Sequence, residues 1–168
     1  YSPDTGLVYI PTNTWPFIYS RPDPENPVES NWNVGYREDA GWPLEIPEGA
    51  IEGMRGIGGG SLLAWDPLKG EARWAVPFPV PFNGGTLSVA SGLIFQANKG
   101  GELVAYDAET GERVWSHGLV GGPGAAPMTY EVDGEQYITI LSGWGSTIAM
   151  VYGVVFEDAV APEMGRVI

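Results

Sequence analysis

Residues Ala105–Trp115 read AYDAETGERVW, and forty-one residues earlier Ala64–Trp74 read AWDPLKGEARW. Ala64 aligns with Ala105, Asp66 with Asp107, Gly70 with Gly111 and Trp74 with Trp115. The lead-ins agree as well, GSLLAWD at Gly60–Asp66 against GELVAYD at Gly101–Asp107. LLAW and LVAY are short β-type runs that stop at an aspartate. That aspartate opens a turn, because its carboxylate can accept from backbone N–H groups about two residues on. Gly70 and Gly111 take the turn position most in need of positive φ. ARWAV and RVWSH then return antiparallel and carry the tryptophan. A small alanine beside a glycine leaves a flat space where a neighbouring unit's tryptophan can lie, each ring burying roughly 150–250 Å².

A period near forty built of strands is the mark of a β-propeller blade. The expected fold class is therefore all-β, a partial β-propeller of about three blades with antiparallel four-stranded blades. One partial propeller domain covers 1–168, divided as follows. Residues 1–15 end one blade, 16–59 form a long loop, and 60–82 form a partial blade and crossover. Residues 83–117 form a complete blade and 118–168 the last partial blade. With 25 Gly, 15 Pro and 12% aromatics among 168 residues, the composition suits a turn-rich β protein and argues against a helix bundle. The opening residues read as a blade already under way, which fits a processed or truncated product.

A net charge of −13 argues against nucleic-acid binding, since phosphates are repelled, and suits a basic protein partner. The absence of cysteine rules out a disulfide, a c-type haem attachment or a thiolate metal site within this stretch. No signal-peptide pattern opens the chain, and no apolar run approaches eighteen residues, so no membrane span is expected.

Along the chain, Pro3-Asp4-Thr5-Gly6 reads as a turn and Leu7–Thr12 as a strand, with Asn13 and Trp15 where strand meets loop. Residues 16–58 show little periodicity. GMRGIGGG at 53–60 is glycine-dense but lacks the Lys-Ser/Thr of a phosphate loop and precedes no helix. Pro77, Pro79 and Pro81 alternate with Phe78, Val80 and Phe82, which reads as an extended crossover between blades. Asn83-Gly84-Gly85 opens the clearest blade, with strands at Thr86–Ala90, Leu93–Ala97, Glu102–Tyr106 and Arg113–His117. Pro127–Val132 and Gln136–Leu141 form a hairpin around Asp133-Gly134, and Gly143-Trp144-Gly145 follows it. His117 is the single histidine and makes no metal site alone. Asp107, Glu109 and Glu112 share one turn and read as solvated or structural.

The pattern A-x-D-x-x-T-G-x-x-x-W resembles the tryptophan-docking motif of the quinoprotein dehydrogenases, eight-bladed propellers that hold pyrroloquinoline quinone (PQQ). The second copy fits throughout, Thr110 included, while the first has Lys69 in place of Thr. YSPDTGLVYIPTN at 1–13, FNGGTLSVASGLIFQANKGGELVAYDAETGERVW at 82–115 and AAPMTYEVDGEQYITILSGWG at 125–145 resemble the PQQ-dependent alcohol dehydrogenase branch. Phe82 stands where many members carry Trp.

The resemblance implies a C-terminal portion of an oxidoreductase that oxidises a primary or related alcohol and passes electrons to cytochrome c or a quinone. It implies a periplasmic location, and Ca²⁺ or a lanthanide beside PQQ. The metal ligands and catalytic base are expected upstream of this sequence, so no catalytic or metal residue is assigned. The residues it points to as cofactor-binding are Asn13, Asn83 and Trp144, lining one wall of a chamber that the rest of the propeller completes. Each has an ordinary reading too: Asn13 and Asn83 as turn residues, Trp144 as a buried ring flanked by glycines. The alternative function is a non-catalytic propeller with the same repeat, acting as a protein-interaction scaffold. Such a scaffold has no need of the TN at 12–13, the NGGT at 83–86 or the GWG at 143–145. A WD-type propeller fits least, since Trp65-Asp66 lacks its paired Gly-His.

Overall fold

The computed structural model describes residues 1–15 and 49–143. The strands are β1 (Val8–Thr14), β2 (Gly59–Asp66), β3 (Glu71–Phe78), β4 (Thr86–Val89), β5 (Leu93–Asn98), β6 (Glu102–Asp107), β7 (Arg113–Gly118), β8 (Met128–Val132) and β9 (Glu135–Thr139), with one helix, α1 (Ala50–Ile57). They form three antiparallel sheets among the described residues, β1-β2-β3, β4-β5-β6-β7 and β8-β9. This is the blade order read from the repeat, and the second blade has the four strands assigned to it.

Two segments differ from the sequence reading. Residues 1–15 were expected to end a separate blade. Instead β1 pairs with β2, from Val8 against Trp65 to Thr14 against Gly59, so 1–15 and 60–82 are parts of one blade. Strand pairing over such a sequence gap leaves no local pattern. The second difference is α1, which lies inside the stretch read as a long loop. Gly53 and Gly56 each cost about 1 kcal/mol relative to alanine in a helix, so local propensity argued against it. The PFPVPF segment also enters the sheet further than expected. Pro77 pairs opposite Ser61 in β3, which is an edge strand among the described residues, where proline is tolerated.

The repeat is preserved in fine detail. Both copies carry a bulge at the same place, between Ala64 and Trp65 against β3 and between Ala105 and Tyr106 against β7. The extra residue restores the tryptophan to the face of its partner alanine, pairing Ala64 with Trp74 and Ala105 with Trp115. Asp66 Oδ1 accepts from the N–H groups of Leu68 and Lys69 at 3.0 and 3.1 Å, and Asp107 Oδ1 from those of Glu109 and Thr110 at 3.0 and 2.9 Å. Gly70 and Gly111 hold φ of 70° and 74°.

The core lies between the first two blades. Leu7, Tyr9, Leu62 and Ala64 of the first meet Ile94, Val104, Tyr106 and Ala108 of the second, with Trp74, Val76 and Phe78 packed against them. Trp74 lies flat over the next blade's turn, where a Cβ on Gly111 would stand 2.7 Å from two ring atoms. Its Nε1 donates to the Ala108 carbonyl at 3.2 Å, an oxygen that also accepts from the Tyr9 hydroxyl at 3.0 Å. Burial is the main cause that raises the Tyr9 pKa above its ordinary value. A smaller cluster of Ala97, Leu103 and Ile140, with Phe95, Leu119 and Ile138, joins the second blade to the β8-β9 hairpin.

Candidate functional site

Antiparallel pairing sends the two kinds of loop to opposite ends of the blades. The docking turns at 66–70 and 107–111 lie at one end. At the other, Thr14 pairs with Gly59, Gly60 with Phe78, Thr86 with Gln96, Asn98 with Glu102 and Glu102 with Gly118. That end therefore gathers Asn13, the 79–85 crossover, the β5–β6 turn and the glycine-rich link after β7. Two of the three residues expected to face a cofactor, Asn13 and Asn83, are there; Trp144 lies outside the described residues.

Asn13 is exposed, with Oδ1 accepting from the N–H of Phe82. Its Nδ2 makes no hydrogen bond among the described residues, so the amide offers donors outward. Phe82 holds a left-handed backbone, φ 58°, and meets the Trp15 ring edge-on at 6.4 Å. Thr12 and Ser61 hydroxyls, 2.6 Å apart, tie β1 to β2 just before Asn13.

Asn83 is engaged differently. Its Nδ2 donates to the Val80 carbonyl at 2.6 Å and its Oδ1 accepts from the Lys99 N–H at 2.9 Å. Around it the chain is packed to contact. A Cβ on Gly60 would stand 3.0 Å from the Thr12 carbonyl and 3.1 Å from Asn83 Nδ2. One on Gly84 would be 2.6 Å from the Ala125 carbonyl, and one on Gly85 2.8 Å from the Ala126 Cβ. The approaches at 84 and 85 require glycine, and a Cβ at 60 would make its neighbours give way. Asn83-Gly84-Gly85 thus knits the first blade, the second blade and the link to the third.

Beneath this loop lies a buried polar group of side chains. Gln96 Nε2 donates to the Gly84 carbonyl at 2.7 Å, and its Oε1 has no partner among the described residues. Lys99 is only 5% exposed and donates to the Gly122 carbonyl at 3.0 Å. Burial disfavours its charged form and lowers its pKa. Sequence reasoning passed over Gln96 and Lys99 and noted Phe82 only as a departure from a family pattern. A lysine beside Asn and Gly in a turn reads as solvated, and nothing local marks its burial. Phe82 follows a proline and precedes Asn-Gly, a turn signal that carries no indication of positive φ at a phenylalanine.

The remaining polar candidates are structural. Asp107 is held below the usual carboxylate range by the backbone N–H and hydroxyl of Thr110, then by the Glu109 N–H. Glu109 and Glu112 are exposed. His117 stacks on Trp115 at 6.0 Å with the rings 7° apart. Among the described residues no group of three His, Asp or Glu side chains is arranged to hold a metal ion, and no helix is long and apolar enough to cross a membrane.

Residues 60–138 match the family described as glucose/ethanol/alcohol dehydrogenase, beta-propeller domain, of the PQQ type. The chain is 45% identical over 157 residues to quinohemoprotein alcohol dehydrogenase ADH-IIG of Pseudomonas putida, covering 91% of this chain and 21% of that protein. The chain belongs to the quinoprotein alcohol dehydrogenase family. Quinohemoprotein alcohol dehydrogenase ADH IIB of the same organism is 38% identical, again over 91% of the chain and 21% of the relative. The solved structure of the ADHIIG enzyme from Pseudomonas putida HK5 superposes with a TM-score of 0.81 at 38% identity, over 99% of this chain and 24% of that one. This quinoprotein propeller segment thus spans about a fifth of the length of the relatives it matches.

Proposed function

We propose that the chain is part of a PQQ-dependent dehydrogenase and forms one wall of its cofactor chamber. The whole protein oxidises a primary or related alcohol in the periplasm and passes electrons to cytochrome c or a quinone. The observation that carries this reading is the exposed amide of Asn13. It stands with the 79–85 crossover at the blade end opposite the docking turns, and its Nδ2 donors are unused among the described residues. A quinone oxygen or carboxylate is the complementary acceptor, so the residues fit the group.

When bound, PQQ supplies the two-electron oxidising chemistry. The chain's own share is to bind and orient. Asn13 donates to an oxygen of the ligand. Asn83 holds the crossover against the second blade and acts as support. Trp144 completes the assignment by resemblance. The metal, Ca²⁺ or a lanthanide, is assigned ligands outside this sequence. A scaffold propeller accounts equally for the seating of Trp74 on Gly111, but leaves the presented amide of Asn13 without a purpose.

The test is calorimetric titration of the full-length protein with PQQ and Ca²⁺ or a lanthanide. Tight binding, weakened roughly tenfold in Asn13→Ala by loss of one hydrogen bond, supports the reading. Absence of binding by the full-length protein promotes the scaffold.

A further inference from the structure

Asn13 is exposed, and an exposed amide is free to present either its oxygen or its NH₂ outward. Among the described residues the choice is made by the N–H of Phe82, which donates to Asn13 Oδ1 and leaves Nδ2 facing out. Phe82 makes this contact while its backbone holds φ 58°. A residue with a Cβ resists this region, and where one persists its surroundings fix it. The surroundings are on both sides. Val80 and Pro81 before it are buried, and Asn83 after it is bonded to Val80 and Lys99.

We infer that Phe82 is a positioning residue acting through its main chain: its left-handed turn locks the Asn13 amide as a donor, so the site selects a ligand that presents an acceptor oxygen. The inference rests on the reading of Asn13 as a contact to the quinone. It assigns the work at position 82 to the backbone, and it sets this chain apart from a site in which the aromatic ring at that position is the essential element.

Three variants of the full-length protein, each titrated with PQQ and melted in parallel, separate these roles. Phe82→Gly keeps the N–H, enters positive φ freely and removes the ring. Phe82→Val keeps an apolar side chain but, being β-branched, resists the turn. Asn13→Asp keeps an acceptor for the Phe82 N–H and removes the outward donor. PQQ affinity within about threefold of the parent is expected for Phe82→Gly, and roughly tenfold weaker affinity for Phe82→Val. Asn13→Asp is expected to lose about tenfold or more at a nearly unchanged melting temperature. If Phe82→Val fails to fold, Phe82→Ala is the milder probe, with an affinity between those of Phe82→Gly and the expected Phe82→Val value. Equal losses in the glycine and valine variants overturn the inference and give the role to the ring. Parent-like affinity in Asn13→Asp overturns the reading of Asn13 itself, whatever the Phe82 variants do.

Discussion

Trp74 and Trp115 occupy the same position in two copies of one hairpin, and their surroundings differ completely. Trp74 lies on the Gly111 turn, bonded to the Ala108 carbonyl and 5.8 Å from the Tyr9 ring. Trp115 is 48% exposed. It touches Phe95 edge-on at 6.4 Å and stacks on His117, over an apolar cleft bounded across the gap by Ile138 and Ile140. The turns show the same split: a Cβ on Gly111 meets Trp74, while one on Gly70 meets nothing within 4 Å among the described residues. Tyr106 is 3% exposed between blades, and its counterpart Trp65 is only half-buried. Repetition fixes the shape of each unit. Burial of its aromatic residue depends on which neighbour is present.

The largest expected effect comes from removing the seated ring. Trp74→Ala should cost about 3–5 kcal/mol, the range for truncating a large aromatic at a packed interface. Urea unfolding of this chain measures it, and a loss near that of an exposed residue would mean the docking contact contributes little. Next is the socket. Gly111→Ala combines an unfavourable left-handed alanine with displacement of Trp74, together about 2–4 kcal/mol. Gly70→Ala should cost only the first part, about 1–2 kcal/mol. The difference between the two glycine variants isolates docking, and equal values would abolish the distinction drawn here.

Trp115→Ala should cost about 1 kcal/mol in this chain, the worth of its aromatic contacts. In a protein of the length of its relatives the same substitution is expected to approach the Trp74→Ala value, because another turn is then available to the ring. Equal and small losses in both proteins would show that Trp115 is never seated.

The smallest effect is on pH dependence. Asp107 has its folded pKa lowered by the Thr110 and Glu109 hydrogen bonds. Its contribution is therefore complete above the unfolded carboxylate pKa and is lost as pH falls through the lower folded value. Acid titration of stability should be shallower in Asp107→Asn than in the parent, and an unchanged slope would show that the turn does not depend on this charge.

How much was legible follows from range. The Asp-capped turns, the positive φ of Gly70 and Gly111, the four strands of the second blade and the Asp133-Gly134 hairpin are set by contacts within a few residues, so local sequence carried them. The pairing of β1 with β2 was not legible, because the partner strands are far apart in sequence. Nor was the helix at Ala50–Ile57, whose glycines oppose it. At the candidate site, residue type pointed to Asn13 and Asn83 alike. Only geometry separated them: one amide faces outward, and the other is bonded within the chain on both its atoms.

By itself the sequence determined the repeating unit: a strand, an aspartate turn closed by glycine, and a returning strand that presents a tryptophan. Those are short-range matters of turn chemistry and period. The tertiary structure alone decided which tryptophan is seated on a neighbouring turn, which lysine is taken out of water, and which backbone N–H sets the Asn13 amide. Each depends on surfaces from distant parts of the chain meeting at van der Waals distance, and no local pattern encodes that.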